Sequence, residues 1–250
     1  MTTGQDGKGA DGWSAAVRER LGLGRLLPLG DTPDGAWLAE RAATTALRRT
    51  AAEVPGAVLG RLRVCLADPG SAERPAVEPP PSALPPGLLR IEGDFAAVAG
   101  EPLPDVAERL RTALYAHAVD RLGLRVTEVD LRVTALLEKE PDAGPEGGAG
   151  EFVAGTEPFG ATAVAPKGTA AVIAANVPGV AHLAGSLGAA VLVTKGHVRI
   201  ELATSPGHHP PEVVRAVRRA VTASLPSHPT VAVLVTAVDA TGGSTKNPGA

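Results

Sequence analysis

Apolar and polar positions alternate with period two over Leu62, Val64 and Leu66, set against Arg61, Arg63 and Cys65. They alternate again over Val129, Leu131, Val133, Ala135 and Leu137. Successive side chains of a strand point to opposite faces, so both stretches predict half-buried strands. Residues 88–99 read as a strand interrupted at Gly93-Asp94. Elsewhere the period is helical. Val106, Leu110, Ala113, Leu114 and His117 share one face of a helix expected over residues 104–121, with Asp105 in the first turn, where the helix dipole favours negative charge. A helix is expected over residues 34–53, capped by Asp31 or Thr32, with Pro33 at its start and Pro55-Gly56 at its end. Further along, the pattern predicts a helix (169–176), a strand (189–194), a turn at Lys195-Gly196 and a strand (197–203). A helix (210–224) with Val213, Val217, Ala220 and Val221 in its stripe follows, then a strand (230–238). That last strand is apolar at nearly every position, which predicts burial on both faces, inside its own domain or under a partner.

The same order of landmarks occurs twice. An Ala-rich helix ends in Val54-Pro55-Gly56, Pro104-Asp105-Val106 opens a second helix, and Val133-Thr134-Ala135-Leu136 closes the copy. The second copy has Val177-Pro178-Gly179, Pro211-Glu212-Val213 and Val235-Thr236-Ala237-Val238. Pro55 and Pro104 stand 49 positions apart, whereas Pro178 and Pro211 stand 33 apart. The excess falls in residues 68–87, where Pro79-Pro80-Pro81 and Pro85-Pro86 deny the chain a helix or strand interior. That stretch reads as an exposed insertion, dispensable for folding. The expected fold class is α+β, as two tandem α-β-β-α-β units, each a small three-stranded sheet with helices on one face. The expected boundaries are an N-terminal tail with a short amphipathic helix (1–30), a first repeat (31–140), a linker (141–160), a diverged second repeat (161–240) and a disordered tail (241–250). What recurs is turn punctuation and strand positions, with no nucleophile, metal ligand or phosphate loop among them. A repeat of this kind argues for a binding or assembly protein.

Composition narrows the classes. Apolar residues make up 44% but aromatic ones only 2%, so the core is built from Val, Leu and Ala. The net charge of −3 does not favour a nucleic-acid binder, whose affinity rests on neutralising phosphates. One cysteine excludes an intrachain disulfide and a Cys-rich metal site. No apolar run reaches the length of a spanning helix and the N-terminus lacks a signal-peptide core, so the expected location is cytoplasmic.

With the Val-Pro-Gly turn, the Pro-Asp-Val helix start and Gly123-Leu124-Arg125-Val126-Thr127-Glu128-Val129 before a Val-rich strand, the chain resembles the alkaline shock protein family, the envelope stress response proteins of Gram-positive bacteria. The first copy carries the resemblance over about residues 36–137; the second keeps Val177-Pro178-Gly179-Val180 and Pro-Glu-Val but lacks the Gly-Leu and Glu-Val elements. The resemblance implies a small non-catalytic α+β protein that associates with itself or with related members, held near the membrane by a small anchor protein. The tandem copies, the Pro-rich insertion and the amphipathic N-terminal segment depart from the family pattern.

Candidate chemistry is sparse. Cys65 has Arg61 and Arg63 on its strand but no motif supplies a base. His208-His209 lies in a Pro/Gly turn without a carboxylate or thiol cluster. Gly185-Ser186-Leu187-Gly188 misses the nucleophile-elbow spacing at Ala184, and Lys195-Gly196 lacks a phosphate-loop context. Arg215, Arg218 and Arg219, like Arg109, Arg111 and Arg121, form cationic patches that read as solvated helix faces or sites for anionic lipid or nucleic acid. No catalytic, cofactor or metal residue is therefore expected. The function expected is a non-enzymatic scaffold in the envelope stress response; an RNA-binding α+β module is the alternative.

Overall fold

Residues 22–139 and 163–238 are described by the structure, a computed structural model. The linker, the C-terminal tail and all but the last residues of the expected N-terminal helix lie outside those residues. The chain enters through β1 (Leu26–Pro28) and turns back antiparallel as β2 (Ala36–Ala39). The four residues of β2 are all buried. This corrects the helix expected from residue 34: Ala36-Trp37-Leu38-Ala39 is strand, and α1 (Glu40–Ala52) begins only at Glu40. Local propensity favoured helix, but β2 is fixed by pairing with a strand nearly 200 positions away, which no local pattern reports.

Next come β3 (Ala57–Leu66) and β4 (Leu89–Val98), paired antiparallel. β4 runs unbroken through Gly93-Asp94, against expectation. Gly93 lies between Leu62 and Leu131 in register, and a β-carbon there would stand 3.0 Å from Leu131 Cδ2, so the missing side chain makes room for leucine packing. α2 (Leu103–Ala116) runs into a π-turn (His117–Arg121), and β5 (Val126–Leu137) then pairs parallel with β4. The second segment contains β6 (Ala163–Val164), α3 (Thr169–Ala175), β7 (Val180–Ala184), β8 (Val191–Thr194), β9 (His197–Thr204), α4 (Pro210–Ser224) and β10 (Thr230–Val238). β7 was not expected; its apolar run is short and follows directly on the Val-Pro-Gly turn.

The class is α+β. Sheet B has the order β3-β4-β5. Sheet A is larger than the three strands expected: β1-β2-β10-β9-β7-β6, with β8 on β9. β1 is thus part of a sheet rather than of a tail. The order helix, antiparallel strand pair, helix, parallel strand occurs in both segments. Its hydrogen bonds recur too. Val98 donates its N–H to Gly56 O at 2.9 Å, and Ser205 donates to Gly179 O at 2.8 Å. Both glycines have positive φ, 76° and 92°, a region costly for residues with a β-carbon. Both also face the valine of the following helix start, Val106 and Val213. The Val-Pro-Gly and Pro-x-Val landmarks are therefore two sides of one packing contact.

α1 touches β3 of sheet B and β2 and β10 of sheet A, so it bridges the sheets. One continuous core runs from Leu47, Ile91, Phe95 and Leu114 to Val198, Val217 and Val233. The opposite face of sheet A has its own cluster of Leu23, Leu26, Trp37, Val77, Ala232 and Leu234. This corrects in part the expectation of an exposed insertion at 68–87: most of it is exposed, but some of it packs against the fold. Val77, Pro80 and Pro86 are buried, Trp37 Nε1 donates to Leu84 O at 3.1 Å, and Leu26 exchanges backbone bonds with Ser82 and Leu84. The proline-rich stretch is a cover. It shields the second face of β10, which therefore needs no partner there.

Candidate functional site

Sheet B leaves one face uncovered, and the pleat places charge on it. Cys65, Arg90 and Glu128 form one cross-strand row, Arg63, Glu92 and Asp130 the next, and Asp94 pairs with Arg132 beyond them. Arg90 bridges Glu92 at 3.1 Å, Asp130 at 3.6 Å and Glu128 at 3.7 Å, while Arg132 holds Asp94 at 2.9 Å. Among the described residues Arg61 and Arg63 make no ion pair. Cys65 sits in this row, its Sγ 3.6 Å from Glu92 Oε1 and 3.8 Å from Arg90 O.

The two edges of sheet B differ. At β3 the edge is capped by side chains at Val64: its N–H donates to Glu40 Oε1 at 3.3 Å, and its O accepts from Arg25 Nη2 at 2.6 Å. Glu40 and Arg25 are joined at 2.8 Å. Burial pushes the Glu40 carboxyl up, but Arg25 and two backbone N–H groups outweigh it and hold it below its ordinary value. At β5, Arg111 bonds Val129 O at 3.2 Å, and beyond that point no strand among the described residues pairs with the outer edge. Val133 and Leu136 stand there 38% and 63% exposed.

The expected cationic patches divide. Arg215 pairs with Asp34 at 2.7 Å and Asp31 at 3.4 Å, and Arg218 bonds Val231 O and Pro33 O, so both clasp the β1–β2 turn to α4. Burial raises the Asp34 carboxyl, and the Arg215 hydrogen bond leads the larger opposing effects that leave it lowered. Arg109 pairs with Glu101 and Arg111 with Glu108. Arg111 and Arg218 each follow a helix-opening proline by seven positions and each donate Nε to a valine carbonyl of the next strand. That shared spacing was visible in the sequence, but the solvated-face reading hid it.

His208 and His209 line a cleft of about 510 Å³ with Arg49, Thr50 and Glu53 of α1, and with His117, Asp120 and Arg121 of the π-turn. His117 Nδ1 lies 2.7 Å from Thr50 Oγ1. Burial holds His117 below its ordinary value; Arg121 and Arg49 add to this and Glu53 opposes it. The Gly185–Gly188 loop is held by fully buried Glu201, whose Oε2 accepts from Leu187 N–H at 2.9 Å. Burial raises the Glu201 carboxyl, with Arg199 only partly offsetting it. Ser186 is buried, and Lys195-Gly196 is the β8–β9 hairpin turn. Among the described residues no group of three or more His, Cys, Asp or Glu is arranged to hold a metal ion.

No protein-family model matches the sequence, and no curated protein does. Among solved structures, a variant of MamM CTD aligns at 14% identity over 38% of this chain and 93% of that one, with a TM-score of 0.25. A zinc form of MamM CTD aligns at 13% over 38% of this chain and 82% of that one, also at 0.25. A likeness of that size bears on neither fold nor function.

Proposed function

We propose that this protein is a non-enzymatic scaffold of the alkaline-shock type that acts through protein–protein association near the cytoplasmic membrane. The unequal edges of sheet B carry the reading. A sheet edge is a template for another chain, and proteins blunt the edges they keep to themselves. Here β3 is blunted at Val64 by Glu40 and Arg25, while β5, twelve residues long, presents beyond Val129 an edge that no described strand pairs, with Val133 and Leu136 exposed. The resemblance in residues 36–137 supports the envelope role and a membrane-anchor partner. Among the described residues no helix is long and apolar enough to cross a membrane, so the reading calls for such a partner. RNA binding is less well supported. The four arginines of the open face stand among four carboxylates, and no aromatic ring of the described residues stands on that face for a base to stack on.

Sedimentation of the wild type and of Val133→Lys/Leu136→Lys tests the proposal. The wild type should associate with rising concentration, and the variant should melt like the wild type yet stay monomeric. Cross-linked cells should yield a small membrane protein with the wild type and not with the variant. A wild type that remains monomeric at its solubility limit and recovers no partner would defeat the proposal.

A further inference from the structure

We infer that the cleft between α1, the π-turn and the 205–209 loop binds a small soluble phosphate ester that also carries hydroxyl groups. The volume, about 510 Å³, lies within the ordinary range for small-molecule sites. Arg49 and Arg121 both line it, yet neither forms an ion pair among the described residues. Glu53 and Asp120 line the same cleft without pairing to them. Two unpaired guanidiniums match a phosphate, whose several oxygens accept from planar forks of N–H donors. The two carboxylates and the Ser205 hydroxyl suit the ligand's hydroxyl groups. His117, His208 and His209 add imidazoles on both sides.

A second observation points to the same place. The helix that supplies His117, Asp120 and Arg121 leaves α geometry exactly there: Leu122 N–H bonds His117 O at 3.1 Å, a five-residue π step. Such turns re-aim side chains and occur often at functional sites. The cleft also joins the two segments of the chain, with α1 and the π-turn on one side and residues 205–209 with Val238 on the other. A bound ligand would tie them together. The cleft shares no residue with β5, so this inference does not depend on the association proposed above.

Titration of the full chain with glycerol phosphate, followed by calorimetry and by the His117 imidazole resonances, tests it. The wild type should bind saturably with a shift at His117. Arg49→Gln and Arg121→Gln should each weaken binding by about tenfold or more, as expected for loss of a charged hydrogen-bond donor. Both side chains are exposed and unpaired, so the variants should melt like the wild type. Arg219→Gln, an exposed arginine outside the cleft, should bind as the wild type does. Absence of saturable binding, full affinity in both cleft variants, or binding to phosphatidylglycerol vesicles but not to free glycerol phosphate would each overturn the inference.

Discussion

Val64 is fully buried at a sheet edge, yet its N–H and C=O are both satisfied by side chains, Glu40 and Arg25. An unsatisfied backbone group at that depth is costly, so this pair has a job beyond its own attraction. Arg25→Ala should leave Glu40 half-desolvated and Val64 O without a donor. The expected loss is on the order of 2–3 kcal/mol by urea unfolding, below the roughly 3–5 of a fully buried pair. Glu40 is held below its ordinary 4.5, so its contribution is present above that value and is lost as pH falls through the lowered folded value. Glu201 has the opposite sign. Its folded value lies above 4.5, so its contribution is fully present below 4.5 and is lost as pH rises through the raised value. Glu201→Gln keeps an acceptor for Leu187 without the charge. Its stability relative to the wild type should therefore improve as pH rises from 4 toward about 8, measured by thermal melts across that range. A constant difference would show that Glu201 is not desolvated in solution.

At the scale of elements, the 68–87 stretch changes role from insertion to cover. Deleting residues 71–85 should remove Val77 from its cluster and the acceptor of the buried Trp37 N–H. Burial of a valine side chain contributes about 1.5–3 kcal/mol, and a stranded buried donor costs about 1–3. The deletion should lower unfolding stability by more than about 3 kcal/mol, and an unchanged denaturation midpoint would show that the loop does not cover sheet A. The proline runs correctly excluded regular structure from this stretch, but irregular backbone is not the same as solvated backbone. The apolar Val77 and Leu84 between the prolines were the signal. The two amphipathic helices and most of the long strands were legible because each buries one face, which imposes a period. β2 was not, because a run of only four buried residues shows no period and is told from a helix only by its distant partner. The cleft was hidden for a similar reason: α1, the π-turn and the 205–209 loop lie more than 60 positions from one another, and His208-His209 alone looks like a turn.

For the whole molecule, the continuous core predicts how the chain comes apart. α1 serves both sheets, and Arg215 and Arg218 clasp the β1–β2 turn to α4. Thermal unfolding should therefore be one cooperative transition by both calorimetry and circular dichroism. A fragment ending at residue 139 would bare the side of α1 that faces sheet A, along with β2. It should aggregate or stay partly folded. Two separate transitions, or a well-folded fragment, would show that the segments are energetically independent.

The parallel pairing of β2 with β10 has a consequence for synthesis. A ribosome releases β2 early and β10 almost last. Sheet B can close once residue 137 has emerged, but β2 must wait for nearly 100 further residues, roughly 5–20 s at ordinary elongation rates. Through that interval the nascent chain carries Trp37 and Leu38 beside an empty berth. The proline-rich stretch, already released and bonded to Leu26 and Trp37, is positioned to shelter Trp37 until the last strand arrives.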